Sequence, residues 1–104
     1  MQKITLKGKQ KQYLRGLGHH LDPVVFVGRE GISKTLIQSV KDTLKTRELI
    51  KIKLGQNCDV AKKDAASQLS DLTGAVLVQL IGKTILLFRP NTDIKSDQRI
   101  VLPR

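Results

Sequence analysis

The chain has 104 residues, of which 39% are hydrophobic, and 19 Lys and Arg residues stand against 9 Asp and Glu residues. This length allows one domain with its own core and is too short for two, and the apolar content excludes global disorder. A formal net charge of +10 on so small a protein predicts an anionic partner, with nucleic acid favoured over an anionic membrane surface.

The cysteine content and the apolar runs exclude further classes of protein. Cys58 is the single cysteine, so no intramolecular disulfide can form and no thiolate metal cluster is available. No apolar run approaches the roughly 20 residues that span a bilayer, and the start of the chain lacks the apolar segment of a secretory signal. We therefore predict a cytoplasmic protein that has no metal site, no cofactor and no membrane partner.

The first predicted element is a helix over about 9–19 that carries a basic stripe. Three leucines recur at steps of three and four residues and define its apolar face. Lys11 and Arg15 lie four residues apart on another face, and Lys9 precedes them. No acidic residue occurs before Asp22, so this surface has one sign of charge.

Residues 24–33 predict a strand, a short loop and the start of a second helix. Four β-branched or aromatic apolar residues in a row are typical of a strand that is covered on both faces. The loop follows as Gly28, Arg29, Glu30 and Gly31, and Ser33 is a favourable N-cap. Because a helix is predicted to start here, we expect exposed backbone amides at the end of the loop.

Such a loop is suited to binding phosphate. The amides and the dipole of a helix N-terminus attract anions. Gly28 and Gly31 would let a sugar-phosphate backbone approach, and Arg29 adds a positive charge that Glu30 partly cancels. Two glycines three residues apart also occur in ordinary strand-to-helix turns that need a positive φ, so this motif alone is weak evidence.

The middle of the chain predicts a helix over about 36–45 and a strand over 48–54. Apolar residues alternate along the strand, which indicates that one face is covered, and Lys51 and Lys53 lie on the open face. Glu48, at the start of the strand, is expected to pair with Arg47 or Lys51.

The second half predicts a third helix and a hairpin. Asp59 suits the N-cap of this helix, and Gly74 follows its last turn. Its predicted apolar face consists of Ala61, Ala65, Leu69 and Leu72. Two apolar runs then meet at Gly82 and Lys83, and a two-residue loop with glycine first indicates a type II′ hairpin.

The predicted order of elements is α-β-α-β-α-β-β. Both βαβ crossovers should be right-handed, and the closing hairpin can place its last strand between the second and third strands. We therefore predict an α+β fold with a four-stranded mixed sheet of order 1-2-4-3 whose last strand is antiparallel. A single domain would span 1–104, with its core at about 9–89 and a tail at 90–104 that either docks on the body or frays.

Several segments carry a family resemblance in combination and in order. They are residues 9–17, 23–25, 28–31, 47–51, 73–75, 78–83 and 87–90. Together they resemble the bacterial YhbY-like family, whose module is the CRM (chloroplast RNA splicing and ribosome maturation) domain. Two positions depart from the pattern. Glu30 places an acid in the loop, and Gly18 replaces an expected alanine, so the first helix is expected to fray early.

The resemblance implies a fold like the C-terminal domain of a bacterial translation initiation factor. It also implies RNA binding and, for the bacterial members, association with ribosomal RNA in precursors of the large (50S) ribosomal subunit. The loop would contact RNA, similar in role to the G-x-x-G loop of KH domains. The candidate RNA-binding residues are Gly28, Arg29, Glu30, Gly31, Lys9, Lys11, Arg15, Lys51 and Lys53.

We therefore predict a non-catalytic, monomeric RNA-binding protein that assists ribosome assembly and has no small-molecule substrate. The chain contains no nucleotide-binding lysine motif, nucleophile elbow or metal-spaced carboxylates, which argues against an enzyme. A protein-docking module and a general RNA chaperone for another RNA remain alternatives. Phe26 and Phe88 lie in strands that are predicted to be buried, so a base-stacking platform is not expected.

Overall fold

A computed structural model of the chain describes residues 5–58 and 60–104. The helices and strands follow one another in the predicted order. They are α1 (Gly8–His19), β1 (Val25–Val27), α2 (Lys34–Leu44), β2 (Leu49–Leu54), α3 (Lys62–Thr73), β3 (Val76–Ile81) and β4 (Thr84–Phe88), followed by a 3-10 turn at Ser96–Gln98.

The four strands form one mixed sheet in the order β1-β2-β4-β3, which confirms the predicted topology. β1 pairs in parallel with β2, and β4 pairs antiparallel with both β2 and β3. Gly82 has a φ of +55° and Lys83 does not have a positive φ, as expected for a type II′ turn. This turn returns β4 to the middle of the sheet, so β1 and β3 are the edge strands.

Helices cover both faces of the sheet, and alternate residues of β2 divide between them. Ile50 and Ile52 belong to the main core, which α2 and α3 complete on one face. Leu49 belongs to a smaller core on the other face, where it joins Leu14 of α1. The period of two along a strand is therefore what assigns each side chain to its helix.

Gly18 brings α1 close to the sheet. The helix continues to His19, so the expected early fraying is wrong. Gly18 is buried, and a Cβ at this position would lie 2.6 Å from Cδ2 of Leu86 on β4. The missing side chain thus permits a close approach between helix and strand.

α3 buries a different face from the predicted one. Ala65 and Leu69 are buried as expected, but Leu72 is 52% exposed. The Ser70 hydroxyl donates to the Ala75 carbonyl oxygen and the Thr73 hydroxyl donates to the Leu69 carbonyl oxygen, so this polar pair can be buried in place of Leu72. The helix begins after Ala61, and Asp59, the predicted N-cap, lies outside the described residues.

β1 is covered on one face only, which contradicts the prediction from its apolar run. Val25 and Val27 are buried in the main core, whereas the intervening Phe26 is 65% exposed. α1 packs over β2, β3 and β4 and leaves the edge strand beside them open. Phe88, on the central strand β4, is buried as predicted.

The buried carboxylate of Glu48 holds the C-terminal segment. It is 5% exposed and accepts hydrogen bonds from the backbone N–H groups of Asn91 (2.7 Å) and Ile100 (2.6 Å). The predicted pairing with Arg47 or Lys51 is therefore wrong. Because two backbone donors satisfy the carboxylate, it can be buried without a cationic partner.

The C-terminal tail docks on the α1 side of the sheet. Ile100 and Leu102 pack against the core beneath α1. The Gln10 side-chain amide donates to the Pro103 carbonyl oxygen at 3.0 Å. Of the two alternatives for the tail, docking is the one that the contacts support.

We expect Glu48→Gln to lower the free energy of unfolding by about 1.5–3 kcal/mol, because the glutamine would offer one oxygen where two backbone donors need acceptors. Urea unfolding measures the loss, and hydrogen exchange at the Ile100 amide reports release of the tail. Glu30→Gln is the matched control, since Glu30 is exposed, and its effect should stay within about 0.5 kcal/mol. Equal effects of the two changes would contradict the role assigned to Glu48.

Candidate nucleic-acid interface

The loop between β1 and α2 is a tight turn that Gly31 closes. The Gly31 N–H donates to the Gly28 carbonyl oxygen at 3.0 Å. Gly31 is buried and has a φ of +68°, and a Cβ at this position would lie 3.0 Å from Cγ2 of Val60. The fold therefore requires glycine at residue 31.

Gly28 has a different environment. It is exposed, its φ is not positive, and apart from its two chain neighbours no described residue has an atom within 4 Å of where its Cβ would be. Local geometry therefore explains Gly31 but not Gly28. The space around Gly28 leaves its backbone open to a ligand.

The start of α2 lies directly behind the loop. As predicted, Ser33 is the N-cap, and its Oγ accepts a hydrogen bond from the Leu36 N–H at 3.1 Å. The amides of Lys34 and Thr35, in the first turn, have no acceptor within the helix. Lys34 is also exposed, so this helix end combines a side-chain charge with the positive end of the helix dipole.

The two charged side chains of the loop, Arg29 and Glu30, are both exposed. Within the described part of the chain, neither forms an ion pair. Their charges cancel in sum, so the positive potential around the loop comes from neighbouring elements. The start of α2 supplies one part of it, and β2 supplies another.

Lys53 and Lys51 occupy different positions relative to the loop. Lys53 is exposed and pairs in register with Phe26, two residues before the loop begins. Lys51 lies farther from the loop and is half-buried, and its Nζ donates to the Leu21 carbonyl oxygen at 3.0 Å. The structure thus brings Lys53 to the loop and ties Lys51 to the connection between α1 and β1.

The basic residues of α1 divide into two groups. Lys11 and Arg15 lie on one side of the helix, one turn apart. Arg15 lines a shallow recess between α1 and the sheet together with His19 and Lys51. Lys9 lies about 160° around the helix from Lys11, so it is separated from this stripe.

Sequence reasoning missed two features of this surface, the exposure of Phe26 and the position of Lys34 at the start of α2. The predicted sheet order contained a signal for the first, because order 1-2-4-3 makes the first strand an edge strand. Edge strands are covered less completely than central ones, so strand position was a better guide than the run of four apolar residues.

The described residues also bear on metal binding and on membrane spanning. Within residues 5–58 and 60–104, no three His, Cys, Asp or Glu side chains lie together as a metal ion would require. Over these residues, too, no helix combines the length and apolar character needed to cross a membrane.

Comparison with known proteins identifies the family to which the chain is similar. The family described as the CRS1 / YhbY (CRM) domain matches residues 6–89. The chain is 41% identical over 98 residues to "Probable RNA-binding protein YqeI" of Bacillus subtilis, and the match covers 94% of this chain and 99% of that protein. It is 38% identical over 100 residues to "RNA-binding protein" of Haemophilus influenzae, covering 96% and 97% of the two chains.

A solved structure has the same fold. The solution structure of the hypothetical protein SAV1595 from Staphylococcus aureus aligns with a TM-score of 0.78 and 42% sequence identity. The alignment covers 95% of this chain and all of the other, at 100%. The similarity therefore extends over nearly the whole of both chains.

We expect the two glycines of the loop to differ in their effect on stability. Gly31→Ala should lower the free energy of unfolding by about 1–2 kcal/mol, because alanine is strained in the left-handed region. Gly28→Ala should change it by less than about 0.5 kcal/mol, because the space around Gly28 is open. Urea unfolding of both variants measures the difference. A similar loss for both would show that Gly28, too, is required by the fold.

Proposed function

The chain belongs to the CRS1 / YhbY (CRM) domain family, and on this basis we propose that it is a non-catalytic RNA-binding protein that assists assembly of the large (50S) ribosomal subunit. Its partner would be ribosomal RNA in precursors of that subunit. The whole chain, 1–104, would act as one RNA-binding domain. It would act as a monomer in the cytoplasm, without a cofactor or a small-molecule substrate.

The observation that carries this proposal is the open backbone at Gly28 beside the exposed Arg29. Apart from its two chain neighbours, no described residue has an atom within 4 Å of where a Cβ of Gly28 would be, which would leave room for a phosphate. An arginine can donate two parallel hydrogen bonds to a phosphate, and the start of α2 adds positive potential. Gly31 would hold the loop in this shape, and Glu30 would limit its affinity for a single phosphate.

Charge outside the loop would supply much of the binding free energy. Lys53 lies beside the loop, and Arg15 and Lys51 line the recess between α1 and the sheet. Each phosphate that such a residue neutralises releases condensed counterions, so affinity grows with the number of contacts and falls with salt. Lys11 would extend the footprint along α1, and Lys9 would make at most a peripheral contact.

We expect Arg29→Ala to weaken binding to different RNAs by similar factors, because a phosphate contact carries no base information. The plot of log affinity against log salt concentration should become shallower by about 1. Fluorescence anisotropy with a labelled fragment of large-subunit RNA, repeated over a salt series, measures both. Lys95→Ala is the control, because Lys95 is exposed in the tail, which is held at the opposite end of β2. An unchanged slope in Arg29→Ala would show that Arg29 contacts no phosphate.

We expect the protein in native lysate to co-sediment at low magnesium with particles at or just below the large subunit. Immunoblotting of sucrose-gradient fractions measures this distribution. Nuclease treatment should release the protein if RNA mediates the association, whereas a protein-docking module would stay bound to the remaining protein. Sedimentation only at the top of the gradient, even at low salt, would contradict a role in large-subunit assembly.

A further inference from the structure

Four side chains form a row across the sheet on the face that α1 partly covers. The strand registers align Phe26 with Lys53, Lys53 with Thr84, and Thr84 with Ile81. Residues that pair in register point to the same face of a sheet. Phe26 is 65% exposed and Ile81 is 61% exposed, so both ends of this row, the open row, face solvent.

The open row joins the recess beside α1 to the strand that leads into the loop. On one side, Lys51 lies two residues before Lys53 on β2 and on the same face, and it lines the recess with Arg15. On the other side, β1 leads into the loop, and Phe26 lies about 7 Å along the strand from Gly28. Thr84 and Ile81 of the open row line the recess themselves. A ligand that reached from the recess to the loop would therefore lie along the open row towards Phe26.

The composition of the open row favours a nucleobase over a protein surface. Phe26 and Ile81 are three strand spacings apart, about 14 Å, and Lys53 and Thr84 separate them. They do not form the continuous apolar patch that is typical of a protein-docking site. A phenyl ring beside a lysine instead matches single-stranded nucleic acid, whose bases stack on aromatic rings while basic side chains follow the backbone.

We propose that the open row binds unpaired bases of single-stranded RNA. Phe26 stacks against one base, Lys53 neutralises an adjacent phosphate, and Ile81 provides an apolar contact for a second base. This inference rests on the proposed RNA binding and adds that the RNA is single-stranded between the loop and the recess. It also reverses the expectation, drawn from the sequence, that this chain has no stacking platform.

A tryptophan reporter tests for stacking directly. The chain has no tryptophan, so Phe26→Trp introduces a single one in the open row. Titration with an oligouridine should quench its fluorescence, and the same strand annealed to oligoadenosine should not, because paired bases are unavailable for stacking. Leu72→Trp is the control, since Leu72 is 52% exposed on α3 across the sheet, and it should bind oligouridine without quenching.

Substitutions at Phe26 test the contribution to affinity. Phe26→Leu should weaken oligouridine binding about tenfold, because a base stacked on an aromatic ring loses its partner, whereas Phe26→Tyr should bind like the wild type. The salt slope should stay unchanged in both variants, because no phosphate contact is removed. Circular dichroism checks that both variants fold, as expected for a side chain that is largely exposed.

The possible outcomes separate the inference from the proposed function. If Phe26→Leu binds oligouridine like the wild type while Arg29→Ala binds more weakly, RNA binding stands and the stacking site is refuted. If Phe26→Leu keeps its RNA affinity but loses a nuclease-resistant protein partner, the open row is a protein-docking surface and the inference is overturned. If the wild type binds no RNA, the proposed function fails, and the inference fails with it.

Discussion

A single helix and the docked tail cover one face of a four-stranded sheet, and most of the proposed RNA-binding surface follows from this constraint. α1 has 12 residues and is about 18 Å long, so it cannot cover every strand. Gly18 lets it sit close to Leu86 on the central strand β4, where it completes the smaller core. The edge strand β1 and the end of the sheet beside the loop remain open, and Phe26, Lys53 and the loop all lie there.

The two glycines of the loop have different roles, one in the turn itself and one in the proposed contact with RNA. Gly31 fulfils the steric needs of the turn, with a positive φ and close contact with Val60. Gly28 has no such need, and in the proposed function its backbone would contact RNA. Ser33 caps α2 directly after the turn, so the exposed backbone of the loop leads straight into a helix. A ligand would therefore bind without a large entropic cost of ordering the loop.

Sequence patterns predicted the order of elements, the Ser33 cap and the type II′ turn, because these depend on residues near one another in the chain. The sheet topology then followed from the order of elements and the right-handed crossover rule. The errors at Phe26 and Glu48 arose where distant elements decide. The exposure of Phe26 depends on where α1 lies, and the partners of Glu48 are 43 and 52 residues away. The prediction that Leu72 is buried was wrong for a local reason. The hydroxyl groups of Ser70 and Thr73 donate hydrogen bonds to nearby backbone carbonyl oxygens, so these two residues can occupy the buried positions instead.

The docked tail also bears on how the protein is made. The hydrogen bonds that attach it join Glu48 to Ile100 and Gln10 to Pro103, residues 52 and 93 positions apart in the chain. A ribosome synthesises Gln10 and Glu48 long before these partners, so neither contact can form during most of translation. The core under α1 is therefore completed only when the tail has left the exit tunnel, and until then the nascent chain presents Leu14 without its final cover.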